Sequence, residues 1–124
     1  IKIKIKNGEI YNQFLEGIRG LETPLKKTSY ADNIYWVYGI LINSDIATAE
    51  EIMGKLKVSN IGTRPFFYPM HKQPVFKEMG IFDNKPFPIS EDLYKKGFYL
   101  PSGLNLKFKN IKKVSEVLKN LIQS

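Results

Sequence analysis

The sequence predicts a single α+β domain, built from a small sheet of few strands with helices packed on one face. Segments with a helical apolar period alternate along the chain with short runs rich in β-branched and aromatic residues. With 124 residues, of which 43% are apolar and 13% aromatic, the chain can fill one compact core. No repeat, low-complexity tract or interior linker divides it, so residues 1–124 form one predicted domain.

The first twenty residues carry two contrasting patterns. Lysine and isoleucine alternate over residues 1–6, which is typical of an edge strand. Ile10, Phe14 and Ile18 then recur at the spacing of one helical face. This spacing predicts a helix over residues 7–18.

Residues 33–42 (NIYWVYGILI) are predicted to form a buried strand, because aromatic and β-branched residues dominate the segment. Gly20 and Pro24 break the chain before it. Neighbouring side chains on a strand point to opposite faces, so at most one of Tyr35 and Trp36 can line any single site. We expect Trp36 to pack in the core.

Two helices are predicted from residues that are typical of helix starts and stops. Thr48 and Glu51 have the spacing of a capping box and open a helix that runs to Lys57. A shorter helix opens at Ser90 and can be closed by Gly97.

The chain is predicted to end with a short strand and an amphipathic helix. The strand covers residues 98–100 and stops at Pro101. The helix has apolar residues at alternating spacings of three and four, and lysines on its other side. Its apolar positions are Ile111, Val114, Leu118 and Leu121, and its lysines are Lys109, Lys112, Lys113 and Lys119.

Residues 62–88 combine prolines with phenylalanine and tyrosine, which predicts a long ordered loop with buried rings. Prolines restrict the backbone, so polar and aromatic side chains can be held there as the wall of a ligand site. Arg64 could clamp a phosphate or a sugar oxygen, Phe66 or Tyr68 could stack on a ring, and His71 could donate to an anion. The alternative is that the rings fill a core and Arg64 pairs with a surface carboxylate, and the residue types leave both readings open.

Charge and composition narrow the classes of partner. The net charge of +7 comes mostly from seventeen lysines spread along the chain, which favours a solvated surface over a nucleic-acid face. The chain has no cysteine and one histidine, so no metal site is expected, and no G-x-S-x-G or glycine-rich phosphate motif is found. It has no apolar run long enough to span a bilayer and no signal peptide, so we expect no membrane partner and a cytoplasmic location.

Four stretches together resemble the DegT/DnrJ/EryC1/StrS family of sugar aminotransferases, particularly its perosamine-synthase branch. The most specific is IGTRPFFYPMHKQPVFKEMGIF at residues 61–82, and the others are YNQFLEGIRGL at 11–21, NIYWVYGILI at 33–42 and FPISEDLYKKGFYLPSGLNL at 87–106. They occur in the family's order and cover nearly the whole chain. The resemblance implies the small carboxy-terminal domain of a fold-type-I aminotransferase, with the PLP-binding domain lying before it.

The resemblance also implies a reaction and a site. The full-length enzyme is expected to be a homodimer that moves an amino group from glutamate to the 4-keto carbon of a nucleotide-linked 6-deoxy sugar, with PLP as cofactor. The product is expected to be a precursor of surface polysaccharide. The substrate-binding residues implied for this chain are Arg64, Phe66, Tyr68, Met70 and His71.

The family's aldimine lysine and its Gly-x-Asn-x-Arg segment are not found in the sequence. The resemblance therefore implies a fragment that binds no PLP and has no catalytic residue or activity of its own, whose oligomeric state the sequence leaves open. The alternative to this function is a free-standing basic module that binds single-stranded nucleic acid through its aromatic loop.

Overall fold

The computed structural model describes residues 1–43, 45–83 and 85–124 and contains a four-stranded sheet with five α-helices. The helices are α1 (Lys2–Leu15), α2 (Ala49–Val58), α3 (Pro74–Glu78), α4 (Pro88–Lys96) and α5 (Phe108–Gln123). The strands are β1 (Leu21–Glu22), β2 (Tyr38–Ile42), β3 (Arg64–Pro65) and β4 (Gly97–Leu100). A 3₁₀ helix covers Met70–Lys72.

The sheet is antiparallel throughout, in the order β1-β2-β4-β3. Directly paired residues share a face, so the pairs Tyr38–Leu100 and Ile40–Phe98 define an inner face of buried side chains. Helices α1, α2 and α5 join these residues in one apolar cluster. A small antiparallel sheet with three helices packed on its inner face confirms the predicted α+β class, although α4 lies on the other face.

The opposite face of the sheet, here called the outer face, is lined by Gly39, Leu41 and Tyr99. Leu93 of α4 lines the same cavity, so α4 lies against this side. None of the residues of α4 is buried, which leaves the outer face much more open than the inner one.

The prediction of a strand over residues 1–6 is wrong, because α1 begins at Lys2. The helix predicted over residues 7–18 exists, but it starts five residues earlier and ends at Leu15. The buried positions of α1 include Asn7, Tyr11 and Leu15, and this helical face continues back to the half-buried Lys4. The alternation of lysine and isoleucine has no structural counterpart, since Ile3 is exposed. Packing of α1 against α5 decides the conformation of this segment.

The predicted strand over residues 33–42 begins only at Tyr38. The Asn33 side chain accepts a hydrogen bond from the Tyr35 amide at 2.7 Å, and Tyr35 has a φ of 50°. A left-handed residue interrupts an extended chain, so the segment turns before the strand starts. Tyr35 is consequently buried against α1, whereas Trp36 is 66% exposed, and its predicted place in the core is wrong.

The remaining helix and strand predictions are confirmed in their main features. The Thr48 hydroxyl accepts from the Glu51 amide and the Glu51 carboxylate accepts from the Thr48 amide, which is the predicted capping box. Helix α4 begins at Pro88, two residues earlier than predicted, and is followed by Gly97. The last strand and the final amphipathic helix are found where their patterns placed them.

The stretch at residues 62–88 is more regular and less buried than predicted. It contains β3, the 3₁₀ helix and α3, whose first residue is Pro74; Asn84 lies outside the described residues. Its rings are half-buried or exposed, because they pack on one another and on the outer face instead of entering the core. The expectation of buried rings is therefore wrong.

Candidate functional site

A cleft of about 580 Å³ opens beside β3 and β4 and is here called the Arg64 cleft. Arg64 pairs with Tyr99 across the two strands, so both side chains are on the outer face. Arg64 is exposed and Tyr99 half-buried. The cleft is lined by Trp36, Val37, Gly62, Thr63, Arg64, Pro65, Phe67, Tyr99, Leu100, Pro101, Ser102 and Gly103.

Aromatic rings form much of the Arg64 cleft. Trp36 is 66% and Phe67 is 77% exposed, and the Phe67 ring meets Tyr99 edge-on with 6.2 Å between ring centroids. Exposed rings offer faces on which a base or a sugar can stack. A guanidinium beside them can hold a phosphate with two parallel hydrogen bonds. The cleft thus combines exposed aromatic faces with a cationic group that can donate hydrogen bonds.

Phe66 forms a ridge beside this cleft. Its ring lies 4.7 Å from the Tyr99 ring, between centroids, and covers Gly39 and Gly97. A Cβ on Gly97 would lie 2.3 Å from the Phe66 ring, so this packing requires glycine. Phe66 lines two neighbouring cavities on the outer side but is not among the residues of the Arg64 cleft.

His71 is held by an acidic partner outside the Arg64 cleft. Its Nε2 lies 3.0 Å from Oε1 of Glu91, and its ring packs on Phe87 with 4.7 Å between centroids. The other Glu91 oxygen accepts from Lys72 Nζ at 2.5 Å. The hydrogen bonds from Lys72 and His71 hold the pKa of the Glu91 carboxyl below its usual value. This cluster ties the 3₁₀ helix to α4.

The remaining two predicted residues also lie outside the Arg64 cleft. The Tyr68 ring meets Tyr94 of α4 edge-on at 5.2 Å between centroids. Met70 is 55% exposed, and its sulfur accepts a weak hydrogen bond from the Gln73 side-chain amide at 4.0 Å. Of the five predicted site residues, the structure therefore places only Arg64 in the cleft, with Phe66 at its border.

Sequence reasoning missed two parts of the cleft. Trp36 had been assigned to the core, and only the turn at Tyr35 brings its ring to the outer side. The loop at residues 101–103 follows the predicted stop at Pro101, but its place in the same cleft as Trp36 depends on the pairing of β2 with β4.

Comparison with known proteins identifies the family of this chain. Residues 1–119 match the DegT/DnrJ/EryC1/StrS aminotransferase family. The chain belongs to this family. It is 28% identical over 124 residues to the GDP-perosamine synthase of Vibrio cholerae, covering 97% of this chain and 32% of that protein.

Solved structures of other proteins share the fold. A protein described as a sugar aminotransferase, Spr1654 of Streptococcus pneumoniae in its PMP form, matches with a TM-score of 0.86, 18% identity, and coverage of 98% of this chain and 30% of that one. DesI with its TDP-sugar product matches with a TM-score of 0.84, 20% identity, and coverage of 96% and 30%. The chain spans about a third or less of the length of the curated relatives it matches, between 24% and 32%.

The residues of this DegT/DnrJ/EryC1/StrS chain do not fit the aldimine site of PLP. A lysine that forms a Schiff base needs a desolvated setting or a neighbouring charge that lowers its pKa. Within the described ranges no lysine is buried, and the least exposed are the half-buried Lys4, Lys72 and Lys96. Lys96 has a pKa above its ordinary value because it is hydrogen-bonded to Asp92, which is the opposite of what imine formation needs.

No helix among the described residues is both long enough and apolar enough to cross a bilayer.

Proposed function

We propose that this chain is the nucleotide-sugar-binding domain of a PLP-dependent sugar aminotransferase, in which a region outside residues 1–124 holds the cofactor. The observation that carries the proposal is the position of Arg64 beside Trp36 and Tyr99 in one open cleft. Membership of the aminotransferase family supports it.

Each part of the Arg64 cleft has a role in this proposal. Arg64 binds a phosphate of the substrate through its planar guanidinium, and the Trp36 ring stacks on the base or the sugar. Tyr99, between Phe66 and Phe67, keeps water away from one side of the bound group. His71 acts indirectly here, since its bond to Glu91 anchors the segment that follows β3.

The finer features of the reaction are also part of the proposal. The amino donor is glutamate, and the acceptor is a nucleotide-linked 4-keto-6-deoxy sugar of the perosamine type, which the name of the Vibrio cholerae relative supports. The whole enzyme works in the cytoplasm as a homodimer, and its product enters surface polysaccharide. Residues 1–124 alone bind no PLP and catalyse no transfer.

The role of Arg64 is tested by replacing the two arginines of the chain in turn. We expect Arg64→Ala to weaken binding of GDP-mannose, used as a stable nucleotide-sugar, by about 10- to 100-fold, because a charge-assisted bond to phosphate is lost. The matched control is Arg19→Ala, which removes the same charge from an exposed position outside the Arg64 cleft. Affinities are measured by the fluorescence of Trp36, the only tryptophan of the chain.

The same comparison extends to catalysis in the aminotransferase that contains this chain. We expect Arg64→Ala to raise KM for the nucleotide-sugar far more than KM for glutamate. An unchanged KM for the nucleotide-sugar, or equal effects of the Arg64 and Arg19 variants, would remove Arg64 from the substrate site.

The alternative of a module for single-stranded nucleic acid is kept because Trp36 and Phe67 are exposed beside an arginine. An oligonucleotide titration at about 50 mM salt separates the two functions, since phosphate contacts are strongest at low salt. Tight binding that weakens steeply as salt is added favours the alternative. Absence of binding at that salt concentration eliminates it.

A further inference from the structure

One face of α1 holds the backbone of the loop at residues 101–103. Lys4, Asn7 and Tyr11 are spaced by three and four residues, so their side chains emerge on the same side of the helix. Each donates a hydrogen bond to a carbonyl of the loop. The bonds join Tyr11 Oη to Pro101 O at 2.7 Å, Lys4 Nζ to Ser102 O at 2.5 Å, and Asn7 Nδ2 to Gly103 O at 3.4 Å.

Lys4 differs from the other two residues because it makes a second bond. Its Nζ also donates to Trp36 O at 2.8 Å. An ammonium group has three donors and no acceptor, and its bonds to carbonyls are charge-assisted, so one half-buried lysine can hold two backbone segments at once. These segments are separated by more than sixty residues in the sequence and are joined here through a residue of a third element.

Both segments held by Lys4 line the Arg64 cleft. Trp36 lies on one wall, and Ser102 and Gly103 lie on another. Lys4 itself is not among the lining residues. It contacts the walls of the cleft through the backbone carbonyls of Trp36 and Ser102. Asn7 and Tyr11 bond only to the loop, whereas Lys4 bonds to both segments and so links the two walls directly.

We propose that Lys4 is a positioning residue of the Arg64 cleft, which fixes the distance between Trp36 and the loop at residues 101–103 and so sets the affinity for the nucleotide-sugar. The effect on affinity rests on the proposed function, whereas the bridge between the walls does not. Lysine is required because a shorter or neutral side chain cannot donate strongly to both carbonyls from α1.

The bridge is tested with matched lysine variants in the 124-residue chain. Lys4→Met keeps the apolar stem and removes the donors, and Lys6→Met makes the same change of charge at an exposed position of the same helix. For Lys4→Met we expect a loss of Trp36 fluorescence anisotropy, shifts of the Ser102 and Gly103 amide signals in NMR spectra, and about tenfold weaker binding of GDP-mannose. Lys6→Met is expected to leave all three unchanged.

Two more variants separate positioning from general damage to the fold. Tyr11→Phe removes a bond to the loop but none to Trp36, so we expect it to shift the loop amides and to leave Trp36 anisotropy unchanged. Lys4→Arg keeps a cationic donor group, and we expect it to restore part of the affinity and of the Trp36 signal.

The outcomes distinguish the bridge from the proposed function. Unchanged Trp36 anisotropy and loop amides in Lys4→Met overturn the bridge. Weaker binding without those changes also overturns it, because the lysine then acts by its charge alone. A further outcome is that Lys4→Met changes Trp36 anisotropy and the loop amides while the unmodified chain fails to bind GDP-mannose at millimolar concentration. In that case the bridge stands and the substrate class proposed for the cleft is wrong.

Discussion

The two faces of the sheet differ in exposure much more than in apolar character. On the inner face Tyr38, Ile40 and Phe98 are each no more than 1% exposed. On the outer side Trp36 and Phe67 are large aromatic residues too, yet most of their surface is exposed. Phe98 and Tyr99 are successive residues of β4 and point to opposite faces, so the same strand contributes to both sides. Apolar side chains provide stability on one side and, in the proposed function, a surface for the substrate on the other.

Equal truncations on the two faces give the largest expected contrast. We expect Phe98→Ala to lower the free energy of unfolding by about 3–5 kcal/mol, because it opens a cavity in a close-packed core. Phe67→Ala, at a side chain that is 77% exposed, should change it by no more than about 0.5 kcal/mol. Urea unfolding followed by circular dichroism measures both. Similar losses would mean that the outer ring also supports the fold.

The inner side also contains buried polar groups, and Asn12 tests how much their hydrogen bonds stabilise the fold. On the inner side the Asn12 amide donates to Tyr35 Oη at 2.8 Å and its carbonyl accepts from Tyr38 Oη at 2.7 Å. All three residues are buried, so Asn12→Ala leaves two phenols without a partner and should cost about 2–4 kcal/mol. The control is Gln13→Ala, on the exposed side of α1. If thermal unfolding shows equal losses for the two variants, the buried network contributes nothing specific.

The packing of Phe66 on the outer face can be disturbed without touching an aromatic residue. A methyl group on Gly97 would also lie 2.7 Å from Leu93 O, so we expect Gly97→Ala to destabilise the fold by about 1–3 kcal/mol. Gly54→Ala, in an exposed position of α2 with open space around it, should stabilise the chain by about 0.5–1 kcal/mol. Chemical unfolding of both variants gives the comparison. A neutral effect at Gly97 would show that the Phe66 ring moves aside freely.

Alkaline pH should act on the inner face through its buried phenols. Burial raises the pKa of the Tyr11 and Tyr38 side chains well above their ordinary value of 10.0. The neutral phenol is favoured in the folded state, so this contribution is complete below about pH 10 and is lost as pH rises through the folded pKa. Each tyrosine should add about 1.4 kcal/mol per pH unit to that loss.

Tyrosine variants isolate this effect from the titration of surface lysines. We expect Tyr11→Phe to reduce the slope of unfolding free energy against pH between pH 10 and 12, and Tyr30→Phe, at a side chain that is 88% exposed, to leave it unchanged. Equal slopes in the unmodified chain and the Tyr11 variant would show that burial of this phenol has no thermodynamic effect.

Some elements could be predicted because their signals are local. The capping box at Thr48 and Glu51 and the apolar period of α5 involve residues within one or two turns of a helix. The strand after Gly97 was predicted by similar short-range composition. The alternation over residues 1–6 was misleading because the packing of α1 on α5 outweighs a local pattern with a period of two residues.

The sequence by itself determined the class of the fold, the bounds of α2 and α4 to within two residues, the family, and Arg64 as a residue of interest. Only the tertiary structure decided that Trp36 faces outward, that His71 is bound by Glu91, and that Lys4 joins two walls of a cleft. The physical reason is the range of the contacts. A cap or a helical face is set by neighbours in the chain, whereas the Arg64 cleft depends on the turn at Tyr35, the register of β3 with β4, and a lysine on another element.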